Sequence, residues 1–263
     1  MKIRDFLEKY GDNVALALSY LLDTKKTSLY LNPDYELDRK IQDKLFKIIE
    51  KIDKGYPLQY AIGKWNFYGL DLIVDKRALI PRFETEILVD LILKDKVKKD
   101  KILDIGCGSG AISLALGDNL KKSQIIGSDI SKKAIELSNI NKDRLNIENV
   151  DFIQSDLFSN IKEKFDLIVS NPPYINKKDY ENLDKKLYYE PQNALYGGKD
   201  GLYFYKEIIK NSKKFLNKNG KIYLEIGYDQ KDELIRILKD EGYKNIKTFK
   251  DYNNFDRILS SNI

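Results

Sequence analysis

Apolar residues in the first sixty positions recur at helical spacing, with Phe6 and Tyr10 leading into Val14, Leu18, Leu21 and Leu22, and show none of the alternation expected of strands. This predicts a small helical unit. Asn32 followed by Pro33 reads as an N-cap with proline at the first helical position, after which Leu37, Ile41, Leu45, Ile48 and Ile52 continue one face to a stop at Gly55. Between Trp65 and Val74 the period changes to two and Gly69 interrupts it, which predicts a hairpin leading through Pro81 into the next unit. From there strand-length apolar runs alternate with helical ones: strand 101–105, an amphipathic helix from Ala111 to about Leu120, strand 124–129, a helix capped by Ser131, then strands 150–154 and 165–170. A long polar stretch runs from Asn171 to about Asp200. Beyond it come a helix over 202–215, a strand over 221–226 introduced by Asn219-Gly220, a helix over 230–241, and a final hairpin of 245–250 and 255–260 parted by Asn253-Asn254. The expected fold is α/β, with a doubly wound, mostly parallel sheet over 81–263, a helical domain over 1–62 and a hairpin linker over 63–80.

The length of 263 residues suits one large domain or two unequal ones. Basic and acidic residues, 46 against 41, leave a net charge of only +5 with the signs interspersed, so charge lends no support to a nucleic-acid partner. The run Val14 to Leu22 has the look of a signal-peptide core. Asp5, Glu8 and Asp12 precede it and no convincing cleavage site follows, so it reads as a buried helix. No apolar run reaches about eighteen residues, which argues against a membrane-spanning helix and makes the cytoplasm the expected location.

The absence of histidine excludes Ser-His and Cys-His nucleophilic catalysis and histidine-containing zinc sites, and no metal site is expected. Cys107 is the single cysteine, so no intrachain disulfide can form, and its place between loop glycines reads as a small tolerated side chain.

Two motifs carry chemistry. Asn171-Pro172-Pro173-Tyr174 follows the apolar run 165–170; the Asn171 side-chain carbonyl and the Pro172 main-chain carbonyl can together accept both hydrogens of a planar NH2 group, and Tyr174 offers a ring face to that plane. Such a site holds an amide or an exocyclic amine. Upstream, strand 101–105 runs into Gly106-Cys107-Gly108-Ser109-Gly110, a loop whose glycines allow tight turning, close approach to a ligand and amide hydrogens aimed at it from a helix N-terminus. Asp129 ends the next strand, where an acid meets ribose hydroxyls, and Asp156 with Leu157 follows the third strand, beside the expected adenine position. The loop also fits a dinucleotide fingerprint. Asp104, two residues before its first glycine, opposes that reading, because a carboxylate repels a pyrophosphate yet stabilises the amino group of a methionine moiety. The cofactor implied is S-adenosylmethionine.

In order and residue type the chain resembles the Class I S-adenosylmethionine-dependent methyltransferases with their seven-stranded Rossmann-like sheet, and within them the release-factor glutamine methyltransferases. The resemblance rests on Pro57-Leu-Gln-Tyr60, Gly63-x-Trp65-x-Phe67-Tyr68-Gly69, Leu79-Ile-Pro-Arg-Phe-Glu-Thr-Glu86, Asp104 to Gly110, Asn171 to Ile175, and Glu190-Pro-Gln-Asn-Ala-Leu-Tyr-Gly-Gly198. It implies methylation at N5 of the glutamine in the Gly-Gly-Gln motif of peptide chain release factors, with S-adenosyl-L-homocysteine as the other product and the helical leader docking the release factor. Phe83 stands where the family usually has proline and Gln192 where it has arginine, neither expected to touch the methyl-transfer site; Leu157 replaces an aromatic found in some members. Nucleic-acid methyltransferases that act on an exocyclic amino group of adenine or guanine share the Asn-Pro-Pro-Tyr type of motif and are the alternative.

Overall fold

The computed structural model describes residues 1–263, the side chain of Lys185 excepted, and divides into two compact units: 1–65 with 184–189, and 66–183 with 190–263. The first unit is built from α1 (Ile3–Tyr10), α2 (Asp12–Leu21), α3 (Lys26–Leu31), α4 (Arg39–Asp53) and α5 (Leu58–Ile62). Its core gathers Phe6, Val14, Leu18, Leu45 and Ile48, which their helical spacing predicted, together with Leu29. The Val14 to Leu22 run indeed forms a buried helix, with Val14, Ala15, Ala17 and Leu18 at most 2% exposed. One helix start differs from expectation. Asn32 ends α3 and donates its side-chain amide to the Ser28 carbonyl, while α4 begins six residues later, where Asp38 accepts from the amide of Ile41 at 2.8 Å. An ionisable acceptor three residues before a free amide is the stronger cap here, and Leu37 is buried from outside the helix. The segment 184–189, within the long polar stretch, belongs to this unit: the Tyr189 hydroxyl donates to the Lys54 carbonyl, and its ring meets that of Tyr56 edge-on at 5.0 Å.

The hairpin is formed by β1 (Lys64–Phe67) and β2 (Leu70–Ile73), and the division between units falls inside β1. The second unit continues with α6 (Phe83–Lys94), β3 (Lys101–Ile105), α7 (Ala111–Asn119), β4 (Gln124–Asp129), α8 (Lys132–Leu145), β5 (Val150–Gln154) and β6 (Phe165–Ser170). After the short helix α9 (Lys177–Tyr180) come α10 (Tyr203–Phe215), β7 (Leu216–Glu225), α11 (Lys231–Asp240), β8 (Lys244–Lys250) and β9 (Asp256–Asn262). The hydrophobic alternation did not mark α6. The strand expected over 221–226 begins earlier, at Leu216: Leu216 pairs with Phe165, the register then shifts, and Lys221 pairs with Leu167, with the Asn219-Gly220 turn contained in the irregularity.

The seven strands run in the order β5-β4-β3-β6-β7-β9-β8, parallel except where β9 pairs antiparallel with β7 and β8. All six residues of β6 are buried, as befits a central strand covered on both faces. Because the chain winds outward from β3 through β4 to β5 and then returns to β6 on the other side of β3, the connections leave the carboxyl ends of β3 and β6 in opposite directions. A crevice opens between them.

Asn141 of α8 fixes the hairpin and the glycine-rich loop to one another. Fully buried, it accepts from the Ile73 amide at 2.7 Å and donates to the carbonyls of Ile73 and Ser109. Asn141→Ala leaves those three backbone groups without their partner and is expected to lower the unfolding free energy by about 2–4 kcal/mol. Urea denaturation checks this; a loss within ~0.5 kcal/mol means that solvent replaces the asparagine.

Candidate active site

A cavity of about 450 Å³ lies at that crevice, lined wholly by residues of the second unit. Its size is in the range of small-molecule and cofactor sites. One wall is the glycine-rich loop. Gly106, Gly108 and Gly110 all have positive φ, and a Cβ on Gly110 would stand 2.8 Å from the Phe152 ring, so that position requires glycine for space as well as for backbone. A Cβ on Gly106 would meet nothing within 4 Å; there the backbone conformation alone selects glycine.

The loop does not offer the amide cradle expected of it. The amides of Gly106 and Cys107 both donate to the Ser128 carbonyl, at 2.7 and 3.0 Å, that of Gly110 to the Cys107 carbonyl, and that of Gly108 to Asp129 Oδ2 at 3.0 Å. With four loop amides held by the chain, a pyrophosphate finds few donors, which counts against the dinucleotide reading on geometry as well as charge. Asp129 also accepts from the Ser131 amide at 2.8 Å; burial raises its pKa, and these two amide bonds pull it down. Each carboxylate oxygen retains a lone pair for a ligand hydroxyl.

Of the other expected cofactor residues, Gly106, Cys107, Gly108, Ser109, Asp156, Leu157 and Asn171 line the cavity together with Asp129. Ser109 brings a buried hydroxyl with no partner among the described residues, as a group awaiting a ligand would be. Leu157 is held at φ 45°, a conformation uncommon for leucine. Burial and the nearby carboxylates of Asp104 and Asp129 push the Cys107 thiol well up, which keeps it protonated and unreactive. Asp104 is not on the wall. It is fully buried, and its Oδ2 accepts from the backbone amide and hydroxyl of Ser113, at 3.1 and 2.6 Å, while Oδ1 has no partner. These features fit a cofactor made of a nucleoside joined to an amino acid.

The opposite wall carries the acceptor motif. Asn171, Pro172 and Pro173 line the cavity; Tyr174 does not, and its half-buried ring packs against the core under the sheet. The turn is clamped from behind. Gln230 donates to the Tyr174 carbonyl at 3.0 Å, and Gly197 lies so close that a Cβ there would fall 2.6 Å from the Pro173 carbonyl oxygen. This explains the glycine in the segment 190–198, whose Glu190 accepts from the Ile80 amide and from Arg82 at 2.6 Å and so joins the segment to the loop leading into α6. Gln192 is also on the cavity wall, contrary to the expectation that it stays clear of the site, whereas exposed Phe83 is not among the lining residues.

Two residues that neither periodicity nor motif singled out as functional stand behind Asn171. The Asn171 side-chain NH2 donates to Thr85 Oγ1 at 3.3 Å. Glu225 is buried at the end of β7; burial pushes its carboxyl up to about 7, against hydrogen bonds from Thr85 and Asn171 and the charge of Arg257. The only sequence signal for Glu225 is an acid ending an otherwise apolar strand.

The architecture is that of a methyltransferase. The protein fold matches a methyltransferase from Pyrococcus furiosus with a TM-score of 0.57 at 19% identity, covering 86% of this chain and 98% of that one. The sequence model of the methyltransferase small domain matches residues 83–201, and that of the PrmC N-terminal domain matches residues 5–63. Release factor glutamine methyltransferases from Fusobacterium nucleatum and from Buchnera aphidicola of Schizaphis graminum are each 42% identical to the chain, over 97% and 92% of its length and 75% and 89% of theirs. The chain belongs to the release factor glutamine methyltransferase family.

Burial pushes the Asp104 carboxyl up to about 7, with the nearby Asp129 charge adding to the rise and the Ser113 hydrogen bonds opposing it. A carboxyl whose folded pKa exceeds its unfolded value holds an extra proton in the folded state. Its contribution to stability is therefore complete below about pH 4, where the unfolded carboxyl is also protonated, and is lost as the pH rises through about 7. Asp104→Asn should remove about 2–3 kcal/mol of that decline, so that the variant gains on the unaltered protein as the pH rises. Urea unfolding of both ligand-free proteins at pH 5 and 8 measures it, and parallel pH dependences would place the Asp104 pKa near its ordinary value.

Proposed function

We propose that the enzyme transfers the methyl group of S-adenosyl-L-methionine to the side-chain amide nitrogen of the glutamine in the Gly-Gly-Gln motif of peptide chain release factors, in the cytoplasm, and so acts on translation termination. What carries this reading is Asn171, which shares one cavity with Asp129 and the glycine-rich loop. When bound, the cofactor supplies an electrophilic sulfonium methyl group; Asp129 would accept from its ribose hydroxyls, and the loop from Gly106 to Ser109 would hold its methionine portion, with Asp104 buried behind the loop and bonded to Ser113.

An amide nitrogen is a poor nucleophile because its lone pair is delocalised into the carbonyl. Asn171 Oδ1 and the Pro172 carbonyl would each accept one of its hydrogens and align the nitrogen for in-line displacement. As the nitrogen loses planarity and gains positive charge, the same acceptors bind its hydrogens more strongly, which favours the transition state over the bound substrate. No strong general base is required, and the chain has no histidine to act as one. Tyr174, with its ring packed on the core, would support the turn from behind and supply no stacking face unless substrate binding moves it.

Two substitutions separate the two halves of the site. Asp129→Ala should weaken S-adenosylmethionine binding by about 10- to 100-fold, the scale of losing an ionised acceptor. Asn171→Ala should leave that affinity within about twofold and lower turnover at least ~100-fold. Calorimetry and single-turnover methylation followed by mass spectrometry of the Gly-Gly-Gln peptide read both. Normal turnover by Asn171→Ala would reduce Asn171 to a turn residue.

The helical leader has no chemical motif, and its surface exposes Tyr30, Leu31 and Tyr35, with Leu31 80% accessible. We propose that residues 1–62 dock the release factor outside its Gly-Gly-Gln loop, adding orientation that a short peptide lacks. Replacing Leu31 and Tyr35 by Ser should raise KM for intact release factor about tenfold or more and leave KM for a Gly-Gly-Gln peptide unchanged. Equal effects on both substrates would remove the docking role.

A further inference from the structure

An asparagine that must accept hydrogen bonds faces a difficulty of shape. The two ends of its amide are nearly isosteric, so packing does not distinguish an orientation that presents oxygen to the cavity from one that presents NH2. Only the second orientation is useless to a substrate amide, because it sets donor against donor. Something on the protein side must discriminate by hydrogen bonding.

The structure assigns that task to Thr85 and Glu225, positioning residues that turn the Asn171 NH2 away from the cavity and so leave Oδ1 as the acceptor for the substrate nitrogen. The strand register brings the pieces together: Ser170 of β6 is level with Leu224 of β7, so Asn171 and Glu225 are the next residues of adjacent strands. Thr85, in the first turn of α6, is 4% exposed, and its Oγ1 accepts from Asn171 Nδ2 at 3.3 Å. A threonine hydroxyl alone does not set a direction, since it can donate as readily as accept. Glu225 does. Above its raised pKa of about 7 it is a carboxylate that accepts only, and it draws on the Thr85 hydroxyl. The Thr85 proton is thereby committed to Glu225, and the lone pairs of the hydroxyl are left to face Asn171. Glu225 is 2% exposed, and its Oε2 meets no donor among the described residues. With Glu225 ionised, the direction of every bond in the relay follows from the one member that cannot donate.

This inference rests on the glutamine reading of the site, and the experiments separate the two. Thr85→Val keeps the shape and removes the hydroxyl; turnover should fall about 10- to 100-fold with S-adenosylmethionine affinity and thermal midpoint unchanged, and Thr85→Ser should restore turnover to within about threefold. Glu225→Gln makes a sharper test, because its amide can donate to Thr85, which then donates onward and inverts the relay. With Asn171 turned, the cavity presents a donor. A competitor peptide carrying Glu in place of the acceptor Gln should then bind about tenfold better relative to the Gln peptide than it does to the unaltered enzyme, in both Thr85→Val and Glu225→Gln. A merely structural role would not move that ratio. Independently of any substrate, the Asn171 side-chain NH2 resonances should show slowed hydrogen exchange in the unaltered protein and lose that protection in Thr85→Val. Unchanged turnover in both variants, or lower turnover with an unchanged Gln-to-Glu ratio and unchanged Asn171 exchange, overturns the assignment. Failure of the unaltered enzyme to methylate any glutamine peptide or release factor would instead overturn the reading of the substrate, and the exchange measurement would still decide the relay.

Discussion

The reversal of winding direction at β3 is the constraint from which the site follows. Parallel strands joined by right-handed crossovers must place their connections on alternate faces as the chain moves outward, and when it returns to the other side of the first strand no connection covers the gap. Here the gap lies between β3 and β6. The glycine-rich loop leaves one strand and Asn171 leaves the other, so two motifs 61 residues apart in the chain, counted from Gly110 to Asn171, face one cavity. Neither motif needs the other for its local conformation; the strand order alone makes them neighbours.

Secondary elements decide how firmly each side is held. The loop is pinned through its own amides, to Ser128 and Asp129 at the end of β4. The acceptor turn is pinned from the far side, by Gln230 and by the close approach of Gly197. Asn141 ties the loop to the hairpin, and Glu190 ties the segment 190–198 to Ile80 and Arg82. Much of the polar content of the second unit thus serves to place backbone around the cavity.

Most of the sheet was legible in the sequence because its strands are short apolar runs with clear punctuation, and the order of motifs was enough to expect a doubly wound topology. The start of α4 falls at Asp38 and not at Asn32-Pro33: both have the composition of a cap, and Asp38 is the stronger acceptor once Leu37 packs from outside the helix. Asp129, Asn171 and the loop were found by pattern. Thr85 and Glu225 do not stand out in the sequence, because a threonine in a first helical turn and an acid at a strand end are ordinary until tertiary structure puts them beside Asn171. The burial of Asp104, the position of the Tyr174 ring and the presence of Gln192 on the wall are likewise properties of packing, which no one-dimensional pattern contains.

The self-satisfied glycine-rich loop has a consequence for what competes at this site. Nucleoside triphosphates and dinucleotides share an adenosine moiety with the proposed cofactor, and a loop with free amides would draw them in by their phosphates. Here the amides of Gly106, Cys107, Gly108 and Gly110 are already bonded, and the nearby charged groups include the carboxylate of Asp129. A phosphorylated nucleotide entering the cavity would gain nothing from these four amides, and its donors would have to come from side chains elsewhere on the wall, such as Arg77 and Arg82. The turn that shapes the pocket is thereby neutral toward phosphate where a nucleotide-binding loop would attract it, and any discrimination among adenosine compounds is left to the side chains around it.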